Sequence, residues 1–365
     1  MAKDQSTPSR LGRKVFSWPL SFWRRGWWQK FVSVIAVIVI LLVGSMYGIA
    51  EWYIQTEKSK PLELGVSFIP DYAQSLGVDP QANMDALLNI GVRHFRLVSY
   101  WSDIEQTSGK YDFSQLDWQF KKAEAHHAKI TLSVGLRQPR WPECHAPGWV
   151  DLKAPRQTWQ PQLEQFMKAV VNRYKASPSL QSYQVENEYF LVGFGICQDM
   201  SRQRLVDEYN LVKRLDPRHP AIVARSNNGI GIPIGAPKPD EYAISVYKRV
   251  WDAQVTHRYF EYPIPAWFYG FLAGLQKIHD GRDMIIHELQ AEAWGPQYKP
   301  ITQISLDEQN KSLNAKRLKD RFGYGKATGM REIYLWGGEY WYYRLVVLHD
   351  PSLWNVARQE FAANQ

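Results

Sequence analysis

The chain has little cysteine: two in 365 residues, too few to knit a small disulfide fold. Its 24 glycines and 21 prolines follow no period, which excludes a collagen-like or low-complexity chain. No short repeat of the solenoid or propeller kind is visible. A phosphate-cradling P-loop is absent, as is a Gly-x-Ser-x-Gly nucleophile elbow. Charge of one sign is scarce beyond the N-terminus. Residues 1–30 carry Lys3, Arg10, Arg13, Lys14, Arg24, Arg25 and Lys30 against Asp4 alone, a net +6 of the chain's +8, so the rest holds only +2. A nearly neutral body lacks the electrostatic footprint of nucleic-acid binding, so nucleic acid is not an expected partner. What is abundant is apolar: 45% hydrophobic and 14% aromatic residues, enough for a sizeable core and incompatible with disorder.

Phe31 to Ala50 is an uncharged run of twenty residues, and about 1.5 Å of helical rise per residue spans a hydrocarbon core of roughly 30 Å. Trp23, Trp27 and Trp28 precede it and Trp52 and Tyr53 follow, as interfacial anchors do. The basic tail places residues 1–30 in the cytoplasm and the body outside a plasma membrane, the lipid bilayer being a partner through residues 31–50. A cleaved signal peptide is the alternative, with Gly48 and Ala50 as small residues before a cut; the run exceeds the roughly 7–15 residues of a signal h-region, which favours a retained anchor. Residues 51–62 read as a short polar linker and 63–365 as one domain.

In that domain β-branched and aromatic runs alternate with helical patterns. Strands are expected at Glu63–Ile69, His94–Tyr100, Lys129–Gly135, Leu180–Asn187, Pro220–Ser226, Tyr242–Lys248, Asp283–Gln290 and Glu332–Gly338. Helices are expected over Gln81–Ile90, Ser114–Ala128 (capped by its Ser), Thr158–Ala176, Ser201–Leu215, Ser305–Phe322 and Pro351–Ala363. The fifth connection, Asn227–Glu241, is rich in Gly and Pro and is expected to lack a helix; the sixth, Val250–Asp280, is long and aromatic. Eight strand–helix units in roughly 300 residues fit an α/β chain folded as a (β/α)8 TIM barrel, preceded by one transmembrane helix. A doubly wound open sheet would advertise a Gly-rich first turn, which Ile69, Pro70 and Asp71 do not provide.

A barrel of this kind carries its chemistry at the C-terminal strand ends. There stand Arg96 and Tyr100-Trp101 (strand two), Arg137 and Trp141 (three), Gln184 through Asn187-Glu188-Tyr189 (four), Tyr247 (six), His287-Glu288 (seven) and Trp336 through Glu339 (eight). Carboxylates at the mouths of strands four and seven would face each other. Glycoside hydrolysis needs such a pair, one carboxyl to protonate the leaving oxygen and one to attack or to activate water. Aromatic rings suit the apolar C–H face of a sugar.

These segments resemble clan A of the glycoside hydrolases, the retaining (β/α)8 enzymes that include cellulase-type and β-galactosidase-type families, over most of residues 63–345. The resemblance rests on Arg96 through Trp101-Ser102-Asp103-Ile104-Glu105 to Leu116-Asp117, on Gln184 to Tyr189, on Ile286 to Gln290, and on Trp336. It implies Glu188 as general acid/base, Glu288 as nucleophile held ionised by Arg96, Asn187 on the sugar 2-hydroxyl, Tyr247 hydrogen-bonded to the nucleophile and Trp336 flooring the sugar site. The fifth and sixth units, including Gly231–Pro239 and Tyr259–Phe271, depart from the family pattern, so the resemblance does not extend to the loops that shape the substrate cleft.

Rival readings stand beside these. Glu186 competes for the acid, Glu292 and Glu339 for the nucleophile, and a Glu at a strand end is often a salt-bridge partner. Trp141, Trp149, Trp294 and Trp341 either line a cleft or pack. His287-Glu288 opens like a zinc-protease helix, but Ala291 stands where the second His belongs; His126-His127 reads as a solvated helix face. No metal or cofactor is therefore expected. Cys144 and Cys197 fall in the rim loops after strands three and four, as a disulfide or as free thiols. The expectation is a membrane-anchored retaining glycosidase acting on a β-linked carbohydrate; the alternatives are a transglycosylase on the same site or a catalytically silent carbohydrate-binding barrel.

Overall fold

The computed structural model describes residues 26–191, 193–226, 234–296 and 299–364; most of the basic tail and part of the fifth connection lie outside them. The strands are β1 (Glu63–Ser67), β2 (His94–Val98), β3 (Lys129–Val134), β4 (Leu180–Val185), β5 (Ala221–Arg225), β6 (Glu241–Val246), β7 (Arg249–Asp252), β8 (Arg258–Glu261), β9 (Met284–Gln290) and β10 (Glu332–Trp336). Eight of them close a barrel in the order β1-β10-β9-β6-β5-β4-β3-β2, every pairing parallel. The first strand pairs with the last from Glu63↔Glu332 to Ser67↔Trp336. The (β/α)8 barrel expected from the sequence is thus the fold observed. β7 and β8 stand apart as an antiparallel hairpin at the mouth.

Differences from the expected elements have local causes. The expected helix over Ser305–Phe322 is two helices, Leu306–Ser312 and Ala315–Lys326. The break falls where the Asn314 side chain accepts the Arg317 N–H at 3.0 Å and so caps the second helix. Ser114 is the first residue of its helix and not its cap; Asp112 accepts the Ser114 N–H instead. The sixth connection holds the β7–β8 hairpin and a regular helix, Ala266–Asp280, closed by Gly281 in the left-handed region at φ 80°.

The apolar N-terminal helix runs from Trp27 to Glu57 and is long and apolar enough to cross a membrane. It does not stop at residue 50. Residues 51–57, read from sequence as linker, continue the helix onto the Ala266–Asp280 helix. Gly270 and Gly274, four apart, let the two approach: a Cβ on Gly274 would meet Ile49 Cγ2 at 2.9 Å, and one on Gly270 would meet Ile54 Cδ1 at 3.4 Å. Ala50, Tyr53 and Glu57 are buried there. Glu57 ends the contact in ion pairs of 2.6 Å with Lys60 and Lys277.

Candidate active site

Two backbone distortions build the site. Beyond β4 the chain enters the left-handed region at Glu186 (φ 61°) and again at Glu188 (φ 41°), conformations that non-glycine residues seldom adopt and that cluster at functional sites. Glu186 consequently turns away: it accepts the Leu136 N–H at 2.6 Å and the Arg137 N–H at 3.1 Å and pairs with buried Arg204 at 3.1 Å. Glu188 turns into the cleft. The second distortion lies in β9. Ile286 pairs with Ile244, yet the next pair is Ser245 with Glu288, so His287 is an extra residue. Neighbouring side chains on a regular strand face opposite ways. The bulge instead brings both His287 and Glu288 to the barrel interior.

Glu288 is held at both oxygens. Arg96 Nη1 donates to Oε1 at 2.9 Å and the Tyr247 hydroxyl to Oε2 at 2.7 Å. Arg96 is wholly buried and spends its other donors on Gln184 Oε1 (2.6 Å), Ser67 Oγ (3.1 Å) and Asn187 Oδ1 (2.8 Å). Burial and two facing carboxylates keep the Tyr247 phenol protonated, its pKa well above the ordinary value.

Glu188 differs. Burial, helped by the Glu288 charge, pushes its carboxyl up to about 7, against the lowering effect of hydrogen bonds from Ser245 and Ser226. The Ser245 hydroxyl donates to Glu188 Oε1 and stands 2.9 Å from His287 Nε2. Burial and the Arg96 charge hold His287 well below its ordinary pKa. A neutral His287 with its proton on Nε2 donates to Ser245, which leaves the serine hydroxyl free to donate onward.

A third carboxyl, Glu143, is pushed up to about 8, chiefly by burial and against the pull of Arg137. It accepts a 3.3 Å hydrogen bond from Asn187 Nδ2. A fourth, Glu292, accepts both ends of the Arg140 fork (3.2 and 2.9 Å) and the Trp336 indole N–H at 2.7 Å. Arg140 lies between the Tyr72 ring (3.1 Å to its centroid) and the Trp336 ring (4.4 Å), an arrangement that fixes the aromatic floor.

These groups open on one cleft of about 460 Å³, which Glu188, Glu288, Asn187, Tyr247 and Trp336 all line. Arg96 lies beneath it. Trp141 and Trp294 line it too, whereas Trp149 and Trp341 pack, their indole N–H groups on Glu105 O (2.9 Å) and Ala291 O (2.7 Å). Glu339 is spent on the Ile69 N–H at 2.5 Å. Trp251, on β7, adds an indole N–H without a partner among the described residues. Cys144 and Cys197 are bonded at 1.99 Å, with Cα atoms 5.4 Å apart, which ties the third loop to the fourth at the cleft rim. Among the described residues no group of three His, Cys, Asp or Glu side chains is arranged to hold a metal. Sequence reasoning missed Ser245, Ser226, Glu143 and Arg140. Strand parity marks Ser245 as an inward neighbour of Tyr247 two residues on; the others carry no local signal.

No family model and no curated protein sequence matches the chain. Solved structures do match, and they are glycoside hydrolases. The polyextremophilic β-galactosidase of the Antarctic haloarchaeon Halorubrum lacusprofundi is 13% identical with a TM-score of 0.53, over 83% of this chain and 58% of its own. This chain therefore spans little more than half the length of that enzyme. The GH5_18 protein of Bifidobacterium longum subsp. longum in complex with Manβ1-4GlcNAc is 12% identical with a TM-score of 0.55, over 83% of this chain and 78% of its own. Xylanase XynB of Paenibacillus barcinonensis is 14% identical with a TM-score of 0.50, over 77% of this chain and 85% of its own. At such identities the likeness is one of fold, the (β/α)8 barrel.

Proposed function

We propose that the chain is a glycoside hydrolase that cleaves β-linked glycosides with retention, anchored by its N-terminal helix with the barrel outside a plasma membrane. The observation that carries this reading is a pair of carboxyls in opposite circumstances within one aromatic cleft: Glu188 pushed up to about 7, and Glu288 gripped by Arg96 and Tyr247. One group suited to give a proton beside one suited to attack is the division of labour that two-carboxylate glycoside cleavage requires.

In the first step Glu288 attacks the anomeric carbon as the bond from that carbon to the leaving oxygen breaks, and that oxygen takes the Glu188 proton. In the second, water attacks the glycosyl ester, gives a proton back to Glu188 and frees Glu288. The net change is one water consumed per bond. Asn187, fixed by Arg96, would meet the sugar 2-hydroxyl, Trp336 would stack under the ring, and Trp251 would donate to a hydroxyl. Tyr247 and Arg96 would release and regain Glu288 as its charge is used. The relatives with sugar ligands lend support to a carbohydrate substrate, and the docking of residues 50–57 on the barrel supports an anchor that stays attached.

The test is turnover of a panel of aryl β-glycosides by the full chain beside Glu188→Gln and Glu288→Gln, with NMR of the anomer first released. Retained configuration, lost in both variants, is expected. Release of the inverted anomer, or unimpaired variants, would overturn the reading.

A further inference from the structure

The two ends of the N-terminal helix give its direction. At its C-terminal end Glu57 pairs with Lys277 at 2.6 Å, Lys60 Nζ with Asp283 at 2.9 Å, and Arg331 Nε donates to Lys60 O at 3.0 Å. Asp283 and Arg331 directly precede β9 and β10, and Lys277, in the last turn of the helix leading to β9, pairs with Asp283 at 2.6 Å, so all three mark the end of the barrel opposite the cleft. Ten residues earlier Tyr47 meets Trp267 edge to face at 5.7 Å. Trp267 is the second residue of a helix that starts at the mouth, directly after the β7–β8 hairpin. The two helices therefore run in the same sense, and the exposed apolar stretch before Tyr47 leaves the barrel towards its mouth.

A second, independent observation concerns exposed apolar side chains. Outside the N-terminal helix most of the large ones among the described residues lie on the loops that follow β3 to β6: Trp141 (65% exposed), Ile196 (55%), Ile234 (67%) and Val255 (81%) are the plainest. Trp141 also touches Phe194, 6.3 Å between ring centroids, and both line the cleft. Clustered apolar surface of this kind marks an interaction site, and aromatic and aliphatic tips beside a membrane span suit the headgroup boundary.

We infer that the mouth of the barrel is turned towards the bilayer that its own helix enters, with Trp141, Ile196, Ile234 and Val255 resting in the lipid headgroup region, and that the substrate is a β-linked sugar carried on a membrane lipid. This rests on the glycosidase reading above. The glycosidic oxygen on the lipid side takes the Glu188 proton as its bond to the anomeric carbon breaks and stays in the bilayer as a lipid hydroxyl, while water releases the sugar from Glu288 into solution.

Orientation and substrate are tested separately in the full chain reconstituted in phosphatidylcholine vesicles. For orientation, a bimane fluorophore is attached at Val255→Cys on the hairpin or at His126→Cys at the opposite end, and lipids brominated near the headgroup are added. Quenching at 255 and not at 126 is expected; neither quenched, both quenched, or only 126 quenched overturns the orientation. For substrate, Val255→Asp and Ile196→Asp should each slow cleavage of a dialkylglycerol β-glycoside about tenfold, as loss of an apolar lipid contact implies, and leave the matching soluble aryl glycoside untouched. Equal effects on both substrates overturn the lipid-borne assignment. Absence of any turnover by the native chain removes the glycosidase reading and the substrate with it, whereas the quenching pattern stands or falls by itself.

Discussion

The two ends of the barrel make an instructive comparison. Each holds a cavity of similar size, about 460 Å³ at the mouth and about 430 Å³ at the other end, and each gathers carboxyls. At the strand starts Glu332 is pushed up to about 8 by burial and by Glu241, as far as Glu143 is at the mouth. A shifted carboxyl alone therefore does not distinguish a site from a structural cluster. The difference lies in the rings and in what the backbone distortions bring together. The mouth has left-handed residues at Arg140, Glu143, Glu186 and Glu188 and a bulge at His287, and its cleft is walled by tryptophan and tyrosine. The far cavity is lined by Glu63, Arg93, His94, His127, Lys129, Leu180 and Gln181; it has a left-handed residue of its own at His127 (φ 52°) and an irregularity at Gln181, but its lining includes no tryptophan, tyrosine or phenylalanine. At the mouth the distortions bring Glu188 and Glu288 to one aromatic cleft; those at the far end serve no such wall of rings.

The sharpest way to break that comparison is to remove one carboxyl at each end. Glu188→Gln should cost about 10²–10⁴-fold in turnover of a natural glycoside, read as kcat/KM. Glu332→Gln should leave turnover alone and change the pH dependence of stability. The Glu332 carboxyl is favoured neutral in the folded chain, so its share of stability is full below its ordinary value of 4.5 and is lost as pH rises through about 8. The glutamine variant should accordingly show a flatter thermal midpoint across that window. A turnover loss in Glu332→Gln would contradict the division between the two ends.

Tyr247→Phe comes next. It deletes one of the two donors to Glu288, and a hydrogen bond to a charged group is worth about 1.5–3 kcal/mol, so kcat should fall by about tenfold to a hundredfold with little change in the fold, checked by circular dichroism beside steady-state rates. The smallest effect is a shift of pH profile. On the proposed mechanism Glu188 gives its proton in the first step, so kcat/KM should decline as pH rises through about 7. Ser245 donates to that carboxyl and lowers its pKa; Ser245→Ala should therefore move the alkaline limb to higher pH. A limb that stays in place would mean that Glu188 is not the proton donor.

Much of the fold was legible because parity and turns are local. Eight runs of strand pattern became the eight barrel strands, trimmed or shifted by a few residues at their ends; β4 stops at Val185 because Glu186 and Glu188 leave β geometry, which no propensity reports. Glu188, Glu288, Asn187, Tyr247 and Trp336 were legible as strand-end residues, and the structure gathers them on one cleft with Arg96 underneath. What was hidden depends on pairing between distant segments. The β9 bulge exists only relative to β6, the Arg140–Glu292 fork spans residues 152 apart, and the helical docking of residues 51–57 requires the two glycines of a helix more than two hundred residues later. The hairpin β7–β8 was lost in a run whose aromatic content matched several element types equally.

The most direct test of the central claim is to trap the first step. The full chain is incubated with a fluorosugar bearing a good leaving group, for the sugar cleaved in the aryl panel, and its intact mass and peptide map are recorded. The account predicts one glycosyl adduct per chain, esterified to Glu288, absent in Glu288→Gln and still formed in Glu188→Gln. An adduct on Glu188, Glu292 or Glu143, or turnover without any adduct, would contradict it.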